Sequence, residues 1–395
     1  MRRLLFVSPR FLFPADEGGK IRTGQVLRGL AGGTFHVTLA SPAPPDAASF
    51  RGDIERVCDE FVTWPEPQRG RLFGLTRMRH LAGREPIPVA TDRNREAEAV
   101  VRRELEKKPD VVVIDFVHAA ILAPDPLPAP SVLFTHNVET EIFARQVEVT
   151  KDPVRRAIWR DQMRKMEAFE RDAARRFDAL VAVSERDADT FRERFGAPNV
   201  RAIPTGVDTD LHAYEPPGDE DTAVFTGALD WHANADGISW LLDEIWPRVR
   251  ERRSNARLVV VGRNPPRSFV ERGEPLGVTF PGFVDSIHPY VHGAGAYVIP
   301  LRVGGGTRIK AYEAMALGPP VVSTALGVEG LDVRPDDHYL RADDAAAFAD
   351  AVCRVFEDRA LREGLSQRAR EHVVESCSYR RAARVFEEIC ESVTG

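Results

Sequence analysis

The amino-acid sequence predicts an α/β protein built from two tandem Rossmann-like domains. At 395 residues the chain is longer than one hydrophobic core usually serves. Short apolar runs rich in β-branched residues alternate with amphipathic segments, and this alternation restarts after a polar, proline-rich break. Strands that are apolar throughout and alternate with helices form parallel sheets that helices cover on both faces.

Six apolar runs predict the strands of the first sheet, at residues 4–8, 36–41, 110–115, 132–136, 179–184 and 200–204. Five further runs predict the second sheet, at residues 224–227, 257–262, 278–280, 296–301 and 320–324. The polar break between them has the composition of a linker. We therefore predict a first domain over 1–213, a linker over 214–221 and a second domain over 222–375. Beyond Asp343 the pattern is helical, and these helices need a surface for their apolar stripe.

Composition and charge limit the function classes. With 43% hydrophobic and 29% charged residues the chain is typical of soluble globular proteins, and a net charge of −6 argues against a general nucleic-acid binder. The four cysteines lack C-x-x-C spacing, so they predict neither a zinc site nor a disulfide framework. The apolar run at the N-terminus is too short for a signal peptide, and no run approaches a membrane-spanning length. We expect a cytoplasmic protein.

One segment predicts an anion site. An apolar run ends in Gly304, Gly305 and Gly306. A helical pattern follows at once and carries Thr307, Arg308 and Lys310 near its start. Glycines let a phosphate approach the backbone closely, and the free N–H groups and dipole of a helix N-terminus favour negative charge. Further along this helix, Glu313 could accept both hydroxyls of a ribose. The alternative is a solvated Glu313 that pairs with Lys310 at i, i+3.

Other loops that follow predicted strands are chemically unusual. Gly18 and Gly19 open a helix after the first strand and form a second candidate anion-facing loop. His118 follows the third strand, where it could bind a ligand or move a proton, although a structural histidine is the commoner case. In the second half, strands end near glycines and aromatic residues that could stack on a nucleobase: Gly227, Gly262 and Phe283. Turn glycines beside core aromatic residues are the alternative.

An ordered set of motifs resembles the family 4 glycosyltransferases of the GT-B fold. It comprises Gly18-Gly19, His118, Ser184-Glu185, Ile203-Pro204-Thr205-Gly206-Val207-Asp208, Gly227, Val260-Val261-Gly262, Pro281-Gly282-Phe283 and Glu313-Ala314-Met315-Ala316-Leu317-Gly318-Pro319-Pro320-Val321-Val322. The resemblance implies two Rossmann-like domains with a nucleotide-sugar donor in the cleft between them, retention of anomeric configuration and no catalytic metal. It also implies that a terminal helix over 376–395 crosses back to the first domain.

The resemblance assigns roles to individual residues. Glu313 would bind the ribose hydroxyls, and the backbone around Thr307 and Arg308 would hold the diphosphate. Gly18 and Gly19 would approach the diphosphate from the other domain. His118 would contact the donor sugar and the positive charge that develops at its anomeric carbon.

The sequence departs from the family pattern in two places. The family's usual pair of glutamates lies eight positions apart, and Gly305 occupies the position eight before Glu313. Many relatives carry an Arg and a Lys for the phosphates after the strand that here ends at Gly227, whereas this chain has the residues from Asp230 to Asn234. Our hypothesis is that Arg308 and Lys310 supply that charge from the helix, as in a branch of the family with Gly-Gly-Thr-Arg-x-Lys.

The predicted function is the transfer of a sugar from a nucleotide-diphosphate sugar to a hydroxyl acceptor. A glycan, a lipid-linked glycan and a small natural product are all open as acceptor, and no cofactor or metal is expected. The main alternative is a catalytically silent protein that binds a nucleotide sugar or glycan; a nicotinamide-dependent oxidoreductase fits less well, because no strand leads into a G-x-G-x-x-G motif. Basic and apolar residues mix over 69–81, and arginines recur over 154–177, which leaves peripheral membrane contact as an alternative to a solvated arginine-bearing surface.

Overall fold

A computed structural model describes residues 1–15, 18–66, 77, 79–150, 152–204, 206–303 and 308–395. The chain divides into two compact units. The first unit combines Met1–Gly206 with Tyr379–Gly395, and the second is Val207–Ser378. None of the helices in the described part of the chain is long and apolar enough to cross a membrane.

The first unit is built on a parallel sheet of seven strands in the order β3-β2-β1-β4-β5-β6-β7. The strands are β1 Arg2–Val7, β2 Phe35–Ala43, β3 Glu60–Pro65, β4 Val111–Asp115, β5 Ser131–Phe134, β6 Ala179–Ala182 and β7 Val200–Ala202. The central strands β4, β5 and β6 are buried along their whole length, because helices cover both faces of the sheet. All six predicted apolar runs of this half correspond to strands. The edge strand β3 was not predicted.

The α-helices of the first unit are Gly18–Leu30, Arg51–Ile54, Ile87–Asp92, Arg95–Glu106, Glu139–Val149, Pro153–Arg176, Glu185–Asp189 and Tyr379–Val393. The terminal helix Tyr379–Val393 lies against the helix Gly18–Leu30, where Gly29 leaves room for Ala383: a Cβ built on Gly29 would be 2.3 Å from the Ala383 Cβ. Phe386 packs under the sheet against Phe134, with ring centroids 5.2 Å apart. The predicted return of the terminal helix to the first domain is confirmed, and this explains the apolar stripe near the C-terminus.

The second unit is built on a parallel sheet of six strands in the order β10-β9-β8-β11-β12-β13. The strands are β8 Asp219–Thr226, β9 Arg257–Val261, β10 Val278–Gly282, β11 Ala294–Ile299, β12 Val321–Ser323 and β13 Tyr339–Arg341. Its α-helices are His232–Trp240, Trp246–Arg252, Arg267–Gly273, His288–Val291, Ile309–Leu317, Ala345–Glu357 and Arg359–Ser376. All five runs predicted for this half correspond to strands, and the short edge strand β13 was not predicted.

The two units divide at Gly206/Val207 and at Ser378/Tyr379. Residues 207–213, which the sequence places in the first domain, and residues 214–221, predicted as a linker, both belong to the second unit. The polar break ends in β8, which begins at Asp219 and pairs with β11. Backbone pairing therefore holds the last residues of the predicted linker, from Asp219 on, in the second sheet.

Candidate active site

The carboxyl ends of β8, β9 and β10 meet with their backbones in direct contact. The Gly227 N–H donates to the Val261 carbonyl oxygen at 2.9 Å, and the Gly262 N–H donates to the Gly282 carbonyl oxygen at 3.1 Å. A Cβ built on Gly262 would lie 1.9 Å from the Gly227 carbonyl oxygen, so only glycine fits there. Gly227 has a φ of +153°, which also favours glycine. The predicted Gly227 and Gly262 thus lie side by side where ligands bind in open parallel sheets.

Lys310 reaches this edge of the sheet from the helix Ile309–Leu317. Its Nζ donates to the Asn234 Oδ1 at 2.9 Å and to the Thr226 carbonyl oxygen at 3.3 Å, and it lies 4.5 Å from the centroid of the Phe225 ring. A Cβ on Gly227 would approach this Nζ to 3.0 Å. Burial, with a smaller contribution from Arg308, lowers the pKa of Lys310 to about 7. The charge of Lys310 therefore depends on what binds beside Gly227.

Asn234 is a site residue that the sequence did not single out. Only 3% of it is exposed, and its amide joins two parts of the site: Oδ1 accepts from Lys310, and Nδ2 donates to the Ala228 carbonyl oxygen at 2.8 Å. A buried amide needs partners for both ends. Lys310 is distant in sequence and Ala228 lies in a turn, so no local sequence pattern reveals these two contacts of Asn234.

Arg308 lies directly before the helix Ile309–Leu317 and is 3% exposed. Its Nε donates to the Leu326 carbonyl oxygen at 3.2 Å, and its guanidinium carbon lies 5.8 Å from the centroid of the Trp231 ring. Burial lowers the pKa of Arg308, and Glu329 acts in the opposite direction. Arg308 and Lys310 thus bring two basic groups to the start of one helix, as predicted. Three predicted binding residues lie outside the described residues: Gly305, Gly306 and Thr307.

Glu313 lies one turn further along the same helix, and 35% of its side chain is exposed. Burial raises the pKa of its carboxyl, and Lys310 acts in the opposite direction. Both residues are described, and no ion pair joins them; Lys310 instead contacts Thr226 and Asn234. The alternative of a Lys310–Glu313 surface pair is therefore wrong. The Glu313 Oε1 is 4.0 Å from the Nε2 of His212, a buried residue that the sequence did not indicate.

Two aromatic side chains near the strand ends face solvent. Phe283 directly follows β10 and is 76% exposed, and Trp231 follows β8 and is 42% exposed. Gly282, the last residue of β10, has a φ of +83° that turns the chain at this point. The alternative of a core aromatic residue does not hold for Phe283. An exposed ring at this edge provides a flat apolar surface on which a base could stack.

In the first unit, the two glycines of the predicted anion-facing loop differ in how closely their surroundings pack against them. Both lie at the start of the helix Gly18–Leu30. A Cβ on Gly19 would lie 2.8 Å from the Cζ of Phe116, so packing requires glycine there. A Cβ on Gly18 would meet no described atom within 4 Å. Gly18 therefore has no steric reason in the described structure to be glycine.

His118 lies in a 3₁₀ turn, Val117–Leu122, that follows β4. Its ring stands between two carboxylates: Nδ1 is 3.5 Å from Asp92 Oδ2, and Nε2 is 3.7 Å from Glu139 Oε2. The side chain is 14% exposed, so part of the ring is accessible. The sequence analysis indicated neither Asp92 nor Glu139 as a partner of His118. Chain separation hides both contacts from local pattern.

His136, also at a strand end, is buried inside the first unit. It is 4% exposed, its Nε2 lies 2.7 Å from Asp115 Oδ1, and its ring stacks on Phe116 with centroids 4.2 Å apart. Asp115 also accepts hydrogen bonds from the hydroxyls of Ser8 and Thr23. Burial lowers the pKa of His136, against the opposing effect of Asp115. This network ties the ends of β1, β4 and β5 together beneath His118, so its role is structural.

In the described residues, no group of three or more histidine, cysteine, aspartate or glutamate side chains is placed to hold a metal ion.

Comparisons with solved structures give the fold. Sucrose-phosphate synthase from Thermosynechococcus elongatus aligns over 99% of both chains with a TM-score of 0.65 and 19% identity. Anabaena HepE in complex with UDP aligns over 99% of this chain and 100% of its own, with a TM-score of 0.67 and 15% identity. With the two parallel α/β units, these likenesses show that the chain has the GT-B glycosyltransferase fold.

Sequence comparisons give the family. Residues 17–211 match the family model described as Glycosyltransferase Family 4, and residues 220–358 match the one described as Glycosyl transferases group 1. The chain therefore belongs to the family 4 glycosyltransferases. A phosphatidyl-myo-inositol mannosyltransferase of Mycobacterium leprae is 31% identical over 46% of this chain and 51% of its own length, so the chain matches about half of that relative. A 44.6 kDa uncharacterised protein in the cps region of Klebsiella pneumoniae is 21% identical over 88% of this chain and 89% of its own length.

Proposed function

We propose that this protein transfers a sugar from a nucleoside-diphosphate sugar to a hydroxyl acceptor, with retention of anomeric configuration and without a catalytic metal. The observation that supports the proposal best is the Lys310 contact. This lysine enters the second unit's strand ends beside Gly227, at the place where relatives with a different motif carry basic residues. HepE, whose fold this chain shares, has been crystallised with UDP and with UDP-glucose. The mannosyltransferase relative supports a hexosyl donor.

Each residue has a role in this proposal. Arg308, Lys310 and the N–H groups of the helix stabilise the diphosphate, and the Glu313 carboxylate accepts from the ribose hydroxyls. Phe283 and Trp231 offer stacking surfaces for the base. His118 contacts the donor sugar.

Retention can be achieved on one face of the sugar. The acceptor oxygen forms a bond to the anomeric carbon while the bond from that carbon to the phosphate oxygen breaks. The departing phosphate oxygen takes the electron pair of that bond and the proton of the acceptor hydroxyl. The protein positions the reactants and stabilises the growing charge on the diphosphate.

A panel of nucleotide sugars tests the proposal. A bound donor raises the apparent melting temperature by mass action, and hydrolysis of the donor reports cleavage without a known acceptor. We expect one donor class to do both, with unchanged hydrolysis after EDTA treatment and the same anomer in substrate and product by NMR. Binding without hydrolysis or transfer supports the silent binding protein instead. If no nucleotide sugar binds, the proposal is wrong.

Replacing Arg308 by alanine should weaken donor binding. A hydrogen bond to a charged group contributes about 1.5–3 kcal/mol, so we expect the Kd of the donor's nucleoside diphosphate to rise roughly tenfold to a hundredfold. Isothermal titration calorimetry measures this Kd. Arg267→Ala is the matched control, because the Arg267 side chain is 93% exposed in the same unit and pairs with Glu271 one turn along its own helix. Equal Kd values for Arg308→Ala and the wild type would remove Arg308 from the site.

Nucleotide affinity should fall as the pH rises through neutrality. The pKa of Lys310 is lowered to about 7, so its ammonium form is lost above that pH, and a diphosphate binds the ammonium form. Between pH 6 and 8.5 we expect the Kd to rise on the order of tenfold, with proton uptake on binding at pH values between the free-state pKa of about 7 and the higher bound-state pKa. Calorimetry in two buffers of different ionisation enthalpy counts the protons. Lys310→Met should flatten this part of the pH profile; an unchanged slope in that variant would assign the titration to another group.

A further inference from the structure

A buried carboxylate in the first unit lies behind the predicted catalytic histidine. Glu170, on the helix Pro153–Arg176, has no exposed surface. Its Oε1 accepts from the Glu139 N–H at 2.8 Å, and its Oε2 accepts from the Thr140 N–H at 3.0 Å and the Thr140 hydroxyl at 2.6 Å. Both oxygens are therefore used on two successive residues.

These bonds fix the first turn of the helix Glu139–Val149 from outside. Helices usually satisfy their first N–H groups with a Ser, Thr, Asp or Asn at the preceding position, but here Val138 stands there and its side chain makes no capping bond. The acceptor is instead the Glu170 carboxylate, 31 positions after Glu139 and 30 positions after Thr140. Burial raises the pKa of Glu170 to about 7, opposed by the bonds from Thr140 and Glu139. A buried carboxylate is a costly way to cap a helix.

What this cap holds in place is Glu139. The Glu139 side chain is 11% exposed, and its Oε2 lies 3.7 Å from the His118 Nε2. Asp92 Oδ2 lies 3.5 Å from the other ring nitrogen. Among the described residues, none hydrogen-bonds to the His118 Nε2, and the Glu139 carboxylate lies 3.7 Å from this nitrogen. A shift of the first helical turn would move Glu139 relative to the ring.

We propose that Glu170 is a positioning residue for glycosyl transfer: it fixes Glu139 against His118, so that Glu139 and Asp92 together set the orientation of the imidazole. This inference rests on the proposed function, which gives His118 its contact with the donor sugar. Glu170 acts through Glu139 and does not touch substrate. A displacement of about 1 Å in a positioning group can cost roughly a hundredfold in rate.

A double-mutant cycle tests the coupling. We expect Glu170→Gln to lower kcat roughly tenfold to a hundredfold, because its amide places a donor against the Thr140 N–H, and to leave the Kd of the nucleoside diphosphate unchanged. Glu139→Gln should lower kcat similarly, and the double variant should be no slower than Glu139→Gln alone. Additive losses in kcat would overturn the inference.

The His118 ring gives a readout that does not depend on turnover. Its ¹⁵N resonances are assigned by their loss in His118→Asn, and we expect Glu170→Gln and Glu139→Gln to shift them in the same direction. Asp152→Ala is the matched control: Asp152 caps the same helix Pro153–Arg176 at its other end from Glu170, by accepting from the Arg155 N–H at 2.7 Å. This variant should lower the melting temperature and leave the His118 resonances unchanged. Unmoved His118 resonances in Glu170→Gln would show a purely structural cap.

Milder variants cover the case in which Glu170→Gln does not fold. Thr140→Val removes only the hydroxyl bond to Glu170, whereas Thr140→Ser keeps it. We expect the valine variant to shift the His118 resonances and lower kcat, and the serine variant to behave as the wild type. A wild-type protein that transfers no sugar would overturn the proposed function and this inference with it. If the wild type is active and the substitutions of Glu170 and Thr140 change neither the His118 resonances nor kcat, the inference alone is overturned.

Discussion

Replacing Lys310 by methionine is expected to lower kcat/KM for sugar transfer about a hundredfold to a thousandfold, the usual effect of removing one charge-stabilising donor. Negative charge grows on the diphosphate as its bond to the sugar breaks. Lys310 brings an ammonium group to the strand end beside Gly227, where its Nζ is held by Asn234 and Thr226. Steady-state kinetics with the donor identified in the panel measure the loss.

The same substitution should change stability little. Removal of a partly buried charge stabilises the folded state. Loss of the donor to the Asn234 Oδ1 and the Thr226 carbonyl oxygen acts in the opposite direction and costs about 1–3 kcal/mol. Lys107→Met is the matched control: Lys107 is 48% exposed in the first unit and pairs with Glu60 and Glu104. A Lys310→Met enzyme within threefold of the wild type would show that the lysine only supports the fold.

The strands that the sequence revealed are those that are buried on both faces. β4, β5 and β6 are buried at every position and apolar at all but Asp115 and Ser131, so short apolar runs were enough to find them. The missed strands β3 and β13 are both sheet edges. In β3 only Trp64 is buried, because one side of an edge strand faces solvent, and its sequence then resembles that of a loop.

The site shows a similar division between local and distant information. Arg308, Lys310 and Glu313 share one helical segment, so spacing along the chain predicted that they lie together. Asn234 meets Lys310 across 76 residues. Glu170 appears in a helix rich in arginine and other charged residues, where a solvated carboxylate is the natural expectation, yet it is buried. Its role depends on a backbone segment that only the folded chain brings near.

Replacing Gly262 by alanine is expected to destabilise the second unit and disturb the nucleotide site together. The new Cβ would lie 1.9 Å from the Gly227 carbonyl oxygen and 2.8 Å from its carbonyl carbon. Both are backbone atoms at the paired ends of β8 and β9, so neither side can rotate away. Overpacking in well-packed regions typically costs about 1–3 kcal/mol, and a backbone clash belongs at the upper end. For a unit of this size that corresponds to a fall of roughly 6–12 °C in melting temperature.

The disturbance should also reach Lys310. Relief of the clash must move Gly227, and a Cβ at Gly227 would already be 3.0 Å from the Lys310 Nζ, so the strand end and the lysine share one space. We therefore expect Gly262→Ala to bind nucleoside diphosphate at least tenfold more weakly at a temperature where it remains folded, a loss of about 1.4 kcal/mol. Gly24→Ala is the matched control: it lies within the helix Gly18–Leu30, its new Cβ would meet no described atom within 4 Å outside that helix's own backbone, and alanine there should stabilise by about 0.5–1 kcal/mol. If Gly262→Ala keeps the wild-type melting temperature and affinity, the strand ends can accommodate a Cβ at this position, and the steric argument for this glycine is wrong.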